Sequence, residues 1–167
     1  VNEFDPVGDI HKIERELVAL DPMDTDLSDF KNNGGKLIIY QGWNDFPLRP
    51  ERAFDHLQAV QATMGGAEAV DEFYRLFMVP GMTHCAGGPG AWQTDYVTPL
   101  VNWREAGVAP DRIVGRHPGS DIPMAHLTPS TGSAPTESFS RPQCAYPKLA
   151  HFTGKGDPAD AVNFVCK

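Results

Sequence analysis

The stretch Lys36-Leu-Ile-Ile-Tyr-Gln-Gly-Trp-Asn-Asp45, with its counterpart Phe73-Tyr-Arg-Leu-Phe-Met-Val-Pro-Gly-Met-Thr-His-Cys85, decides the fold. Each is an apolar run that ends in a glycine-containing loop. Residues 37–40 have the near-continuous apolar pattern of a parallel strand buried on both faces. Residues 73–79 repeat that pattern. Between them, Pro50 suits a first helical turn, and Ala53, Phe54, Leu57, Val60 and Met64 recur every three or four residues. Gly65-Gly66 ends that run. Strand, helix, strand in this order predicts an α/β fold with a right-handed βαβ crossover. Two parallel strands do not make a sheet covered on both faces, so further strands are expected from outside this chain.

Working outward, Ile10, Ile13, Leu17, Val18 and Leu20 lie at helical spacing within residues 9–20, and Asp21-Pro22 stops that helix. Asp26 is placed to cap a short helix over 27–32, closed by Gly34-Gly35. Trp92, Tyr96, Leu100 and Trp103 give another helical face, which Pro99 starts or kinks and Gly107 ends. Residues 112–116 and 137–140 read as paired edge strands around a variable surface loop at 128–136, rich in Ser, Thr, Pro and Gly. The tail, 141–167, reads as mostly irregular. Of the 16 glycines and 15 prolines, most lie after residue 79, which makes that half loop-rich.

The chain is acidic, with a formal net charge of -8, which argues against nucleic acid as a partner because phosphate binding needs a basic face. Its longest apolar run is far too short to span a bilayer. Val1-Asn-Glu-Phe-Asp5 lacks the basic and apolar regions of a signal peptide. Three cysteines are an odd number. A disulfide between Cys144 and Cys166 would close the core-poor tail and leave Cys85 free or paired outside the chain. Three reduced, buried cysteines are the plain alternative.

The two loops carry complementary chemistry. Asp45 follows the first strand and His84 the second, at the strand ends where α/β sheets place ligands. A carboxylate that orients an imidazole, in that chain order, is the acid and base of a Ser…Asp…His relay as α/β-hydrolases arrange it. Taken singly, Asp45 reads sooner as a helix cap, and His84 equally as a surface residue; the pair carries the argument. No serine here sits in a strand–elbow–helix setting, so the chain reads as the C-terminal part of an esterase, and alone it is expected to be inactive. His11, His56, His117, His126 and His151 read as surface or satisfied core residues. Gly87-Gly88-Pro89-Gly90 lacks the Lys-Ser/Thr of a phosphate loop. A metal site at His84-Cys85 has no supporting ligand spacing.

At these residues the chain resembles the tannase and feruloyl esterase family. The resemblance rests on 34–45, on 73–90 with its His84-Cys85-Ala-Gly-Gly-Pro-Gly90 run, on Ala109-Pro-Asp-Arg-Ile-Val114, and on the tail segments Ser140-Arg-Pro-Gln-Cys-Ala-Tyr-Pro147 and Ala161-Val-Asn-Phe-Val-Cys166. It implies the C-terminal part of an α/β-hydrolase sheet, two parallel strands with crossover helices over 20–107, and a loop-rich, disulfide-closed tail over 108–167. The N-terminal half and the lid domain would lie outside residues 1–167. It implies a secreted or periplasmic carboxylic ester hydrolase acting on small esters of aromatic acids such as gallate or ferulate, with Asp45 as triad acid and His84 as base. It pairs Cys144 with Cys166, and Cys85 with a cysteine preceding the nucleophilic serine. The expected partner is the N-terminal part of the same enzyme, which bears that serine. No cofactor is expected in this chain, since the family's structural calcium belongs to the lid. A non-catalytic remnant or binding module of a secreted hydrolase is the alternative.

Overall fold

The computed structural model describes residues 5, 8–11, 13, 24–119 and 137–167. Two segments build the part that matters for the site. β1 (Leu37–Gly42) pairs in parallel with β2 (Tyr74–Val79), in a register running from Leu37 opposite Tyr74 to Gly42 opposite Val79. The crossover between them contains α2 (Glu51–Thr63) and α3 (Ala67–Asp71); α1 (Ser28–Asn32) precedes β1. Asp26 accepts the Ser28 N–H at 3.1 Å and so anchors the start of α1. The helical spacing seen in the sequence places His56, Leu57 and Val60 on the buried face of α2. Leu57 and Val60 join Val70, Phe73, Tyr74, Leu76 and Met78 in the main core, with Ala53, Phe54 and Met64 partly buried against it. α3 had no distinct sequence signal, being five residues with no side-chain cap.

β2 is buried almost throughout, while β1 is only half-buried. The expectation of burial on both faces therefore applies to β2 and is corrected for β1. The physical reason is position: β2 lies between β1 and the tail, which reaches it through a Phe77–Ala145 bridge and a hydrogen bond from Tyr146 N–H to Leu76 O at 2.8 Å. Among the described residues β1 has one strand neighbour. Phe77 belongs to a second cluster with Ile113 and Ala145, flanked by Ile38 and Tyr96.

α4 (Val97–Ala106) starts two residues before Pro99, and Asp95 Oδ1 accepts from the N–H groups of Val97 and Thr98 at 2.9 and 3.0 Å. Trp92 lies outside it. β3 (Arg112–His117) and β4 (Phe139–Cys144) pair antiparallel. The expected irregular tail is more ordered than its composition suggests. β5 (Ala150–Phe152) pairs antiparallel with β6 (Phe164–Cys166), which a 3₁₀ turn (Ala161–Asn163) introduces. A disulfide between Cys144 and Cys166 ties β4 to β6. The loop expected at 128–136, His126 and most of the helix expected at 9–20 lie outside the described residues, although Ile13 N–H donates to Asp9 O at 3.0 Å. Among the described residues no helix is long and apolar enough to cross a membrane.

Candidate active site

Asp45 and His84 come together at the carboxyl ends of β1 and β2. Asp45 Oδ2 lies 3.1 Å from His84 Nδ1. The two loops meet because Gly42 lets the chain pass against the segment before His84. A Cβ there would collide with the Met82 carbonyl oxygen and sit 2.7 Å from that of Thr83. Trp43 N–H donates to Val79 O at 3.1 Å and Asn44 N–H to Met82 O at 3.0 Å, which fixes one loop on the other. The loop after β2 is further held by Thr83, whose N–H donates to Gly87 O at 3.1 Å and whose hydroxyl donates to Ala86 O at 2.6 Å.

The Asp45 side chain is 3 % exposed and that of His84 43 %, so the acid is sheltered while the base opens to solvent. Burial by itself would raise the Asp45 carboxyl. Hydrogen bonds from the Leu48 N–H, His84 and Gln41, with the His84 charge, outweigh it and hold the carboxyl below its ordinary value. The Leu48 N–H reaches Oδ1 at 3.0 Å, and Gln41 Nε2 reaches Oδ2 at 2.8 Å. An ionised carboxylate only accepts, so His84 Nδ1 carries the shared proton, and in the neutral ring Nε2 then carries the lone pair. That is the protonation arrangement a general base needs.

A hollow of about 150 Å³ lies over the pair, lined by Tyr40, Gln41, Leu48, Met82, His84 and Cys85 among others. A larger cavity of about 430 Å³ lies on the tail side and shares none of these residues. Cys85 is an exposed free thiol with φ +65°. A non-glycine residue in that region carries strain of about 1–3 kcal/mol, a cost typically found at functional positions. Among the described residues no three His, Cys, Asp or Glu are grouped to hold a metal ion. Ser28 opens α1, Ser138 precedes β4 and Ser140 lies in it, so none stands on a strand-to-helix elbow; Ser120, Ser130 and Ser133 lie outside the described residues.

Other histidines do structural work. His56 is buried, with Nδ1 3.1 Å from the Tyr74 hydroxyl and Nε2 3.1 Å from Asp24 O. His117 is buried and stacked on Phe139, with Nδ1 accepting the Gly119 N–H at 3.0 Å. Its burial lowers its pKa, opposed by the nearby Gly88 carbonyl, to which Nε2 makes no well-aligned hydrogen bond. His151 is exposed on β5. Gln41 and Leu48 are the parts of the site that sequence reasoning missed. The signal for Gln41 was its position four residues before Asp45 in a chain that turns back at Gly42.

The chain is mixed α/β, with a carboxylate–imidazole pair at the ends of adjacent parallel strands, and it is similar to known esterases. The family profile described as "Tannase and feruloyl esterase" matches residues 8–167, and the chain belongs to that family. It is 39% identical over 142 residues to a mono(2-hydroxyethyl) terephthalate hydrolase of Piscinibacter sakaiensis, covering 85% of this chain and 21% of that protein. It is 36% identical over 143 residues to a probable feruloyl esterase of Arthroderma benhamiae, covering 84% of this chain and 24% of that protein. A crystal structure of an esterase from Aspergillus oryzae superimposes with a TM-score of 0.74 at 26% identity, over 99% of this chain and 34% of that one. Feruloyl esterase B from Aspergillus oryzae gives 0.69 at 28% identity, over 87% and 29%. The chain thus spans between a fifth and about a third of the length of these relatives.

Proposed function

We propose that this chain supplies the acid and base of a serine carboxylic ester hydrolase that cleaves small esters of aromatic acids, gallate- or ferulate-type, as a secreted or periplasmic enzyme. The observation that carries the reading is the 3.1 Å contact between Asp45 Oδ2 and His84 Nδ1, in a hollow that both residues line. The names of the esterase relatives support the substrate class. In this reading residues 1–167 are the C-terminal portion of one α/β-hydrolase catalytic domain, 20–107 forming the sheet part and 108–167 the tail. An N-terminal segment, the partner of this chain, brings the nucleophilic serine, the oxyanion hole and the lid.

The chemistry then runs through this chain's own groups. His84 Nε2 takes the proton of the serine hydroxyl as its oxygen attacks the acyl carbonyl. The buried Asp45 carboxylate stabilises the imidazolium that forms and keeps Nδ1 protonated. His84 returns the proton to the leaving alcohol, which leaves an acyl-enzyme. It then deprotonates the water that releases the aromatic acid. Cys85 is proposed to form a disulfide with a cysteine next to the serine, tying nucleophile to base.

The test joins the chain to its serine-bearing segment and follows hydrolysis of methyl ferulate and methyl gallate. Activity should appear only with that segment, Cys85 should be disulfide-linked to it on non-reducing mass analysis, and His84→Ala should abolish turnover. Robust turnover by the 167-residue chain alone that persists in His84→Ala would overturn the assignment.

A further inference from the structure

We propose that Gln41 is a positioning residue for the base: its side-chain amide holds Asp45 Oδ2 in the orientation from which His84 Nδ1 takes its hydrogen bond. The proposal rests on the reading of Asp45 and His84 as acid and base. Its geometry stands independently.

The Asp45 carboxylate has two oxygens, and each must be held for the group to be fixed about its Cβ–Cγ bond. The Leu48 N–H holds Oδ1 at 3.0 Å. Oδ2 takes two donors, Gln41 Nε2 at 2.8 Å and His84 Nδ1 at 3.1 Å. The His84 contact is the less constant of the two. Its Nδ1–H is retained through the cycle, but the strength of its donation changes as Nε2 gains and loses a proton, and its side chain is half open to solvent. The amide of Gln41 has no titratable proton, so its donation persists in both states of the base. Its other contact, to Gly42 O at 3.4 Å, is too long to count for much, so Asp45 is its main partner. Gln41 is the penultimate residue of β1, and its backbone is fixed by pairing with Met78. It therefore holds the acid with the rigidity of the sheet, where Asp45 itself lies on a loop. The other titratable groups lining this hollow are Tyr40 and Cys85, and neither is hydrogen-bonded to Asp45.

A purely structural glutamine would stabilise the loop without affecting which ring nitrogen of His84 carries the proton. A positioning glutamine controls it. The test is nitrogen NMR of the His84 ring in the 167-residue chain, with carboxyl-carbon NMR of Asp45, comparing wild type with Gln41→Met. Methionine keeps the length and removes the donor. The ratio of Nδ1–H to Nε2–H forms of neutral His84 should fall about tenfold or more, the scale of one hydrogen bond to a charged group. The Asp45 titration should move upward. Gln41→Glu gives a second, independent reading. With the introduced carboxyl ionised, it repels the Asp45 carboxylate instead of holding it, and the ratio should depart from that of the wild type. Once that carboxyl binds a proton it can donate to Oδ2, and the wild-type ratio should return. The far-UV spectrum and the Cys144–Cys166 disulfide report that each variant is folded. An unchanged ratio and unchanged Asp45 titration in folded Gln41→Met would overturn the proposal. So would a ratio in Gln41→Glu that ignores the added carboxyl, which decides the matter if Gln41→Met does not fold. These readouts need no turnover, so a failed esterase assay and a failed role for Gln41 are separate results.

Discussion

At the scale of single residues, the site depends on a missing side chain as much as on those present. Gly42 ends β1 where the backbone of Met82 and Thr83 passes, and a Cβ has no room there. Gly42→Ala should force the two loops apart, destabilising the chain by about 1–3 kcal/mol in urea unfolding. It should also lengthen the Asp45–His84 contact, read as loss of the Nδ1–H form of His84. A second change acts on the charge. Asp45→Asn keeps the shape but cannot accept from Leu48, Gln41 and His84 together. In the reconstituted enzyme it should lower kcat by about 10⁴, because the base is held in the wrong tautomer, and destabilise the fold by about 1–3 kcal/mol through the unpaired buried donor. Asp45 and His84 were legible in the sequence because each follows an apolar run by a fixed short distance, and strand ends are where such groups converge. Gln41 was not, since strand alternation alone does not say that a side chain will meet a residue beyond the next turn. The Leu48 N–H was hidden for a different reason: a backbone donor leaves no mark on residue type.

Among the elements, β1, β2 and α2 were legible because burial writes a period into sequence, and these segments supply much of the main core. The ordered tail was not, because β5 and β6 are three residues each and show mixed or exposed patterns. Their order comes from cross-links and stacking: Arg141 lies over the rings of Phe139 and Phe164, Phe152 packs on Phe164, and Cys144 is bonded to Cys166. A covalent closure across 22 residues restrains the unfolded chain by about 3 kcal/mol. Cys166→Ser should lower stability by about that amount in denaturant titration and loosen β5 and β6 before β1 and β2. The α2–β2 junction sets a limit on the alkaline side. Burial raises the Tyr74 hydroxyl well above its ordinary value, and the hydroxyl meets His56 Nδ1 at 3.1 Å. A group whose folded pKa is raised contributes stability that is full below its unfolded pKa and lost above it. Unfolding free energy should therefore fall by about 1.4 kcal/mol per pH unit above about pH 10 from this tyrosine. Tyr74→Phe should remove that slope in pH-dependent denaturation.

For the whole molecule, the uneven burial of the two parallel strands bears on what the chain pairs with. Leu37 N–H donates to Phe73 O at 2.7 Å and Trp43 N–H to Val79 O at 3.1 Å, so the alternate amides of β1 face β2. The intervening amides of Ile38 and Tyr40 face the other edge, where no strand pairs with β1 among the described residues. Tyr40 is exposed on this strand, and the Asp45 loop exposes Trp43, Phe46 and Leu48. An unpaired, apolar strand edge is a poor end state in water, and pairing with another strand satisfies both its amides and its side chains. If the proposed serine-bearing segment completes the sheet on that edge, hydrogen exchange should report it residue by residue. In the 167-residue chain, Ile38 and Tyr40 amides should exchange fast while Ile39 and Gln41, which face β2, are protected. Adding the segment should slow Ile38 and Tyr40 by at least about 100-fold, since a central strand opens only with larger unfolding. The Ile39 and Gln41 amides should change much less. Protection confined to the tail, with Ile38 and Tyr40 still exchanging freely in an active complex, would show that the segment docks elsewhere and that the sheet does not extend across β1.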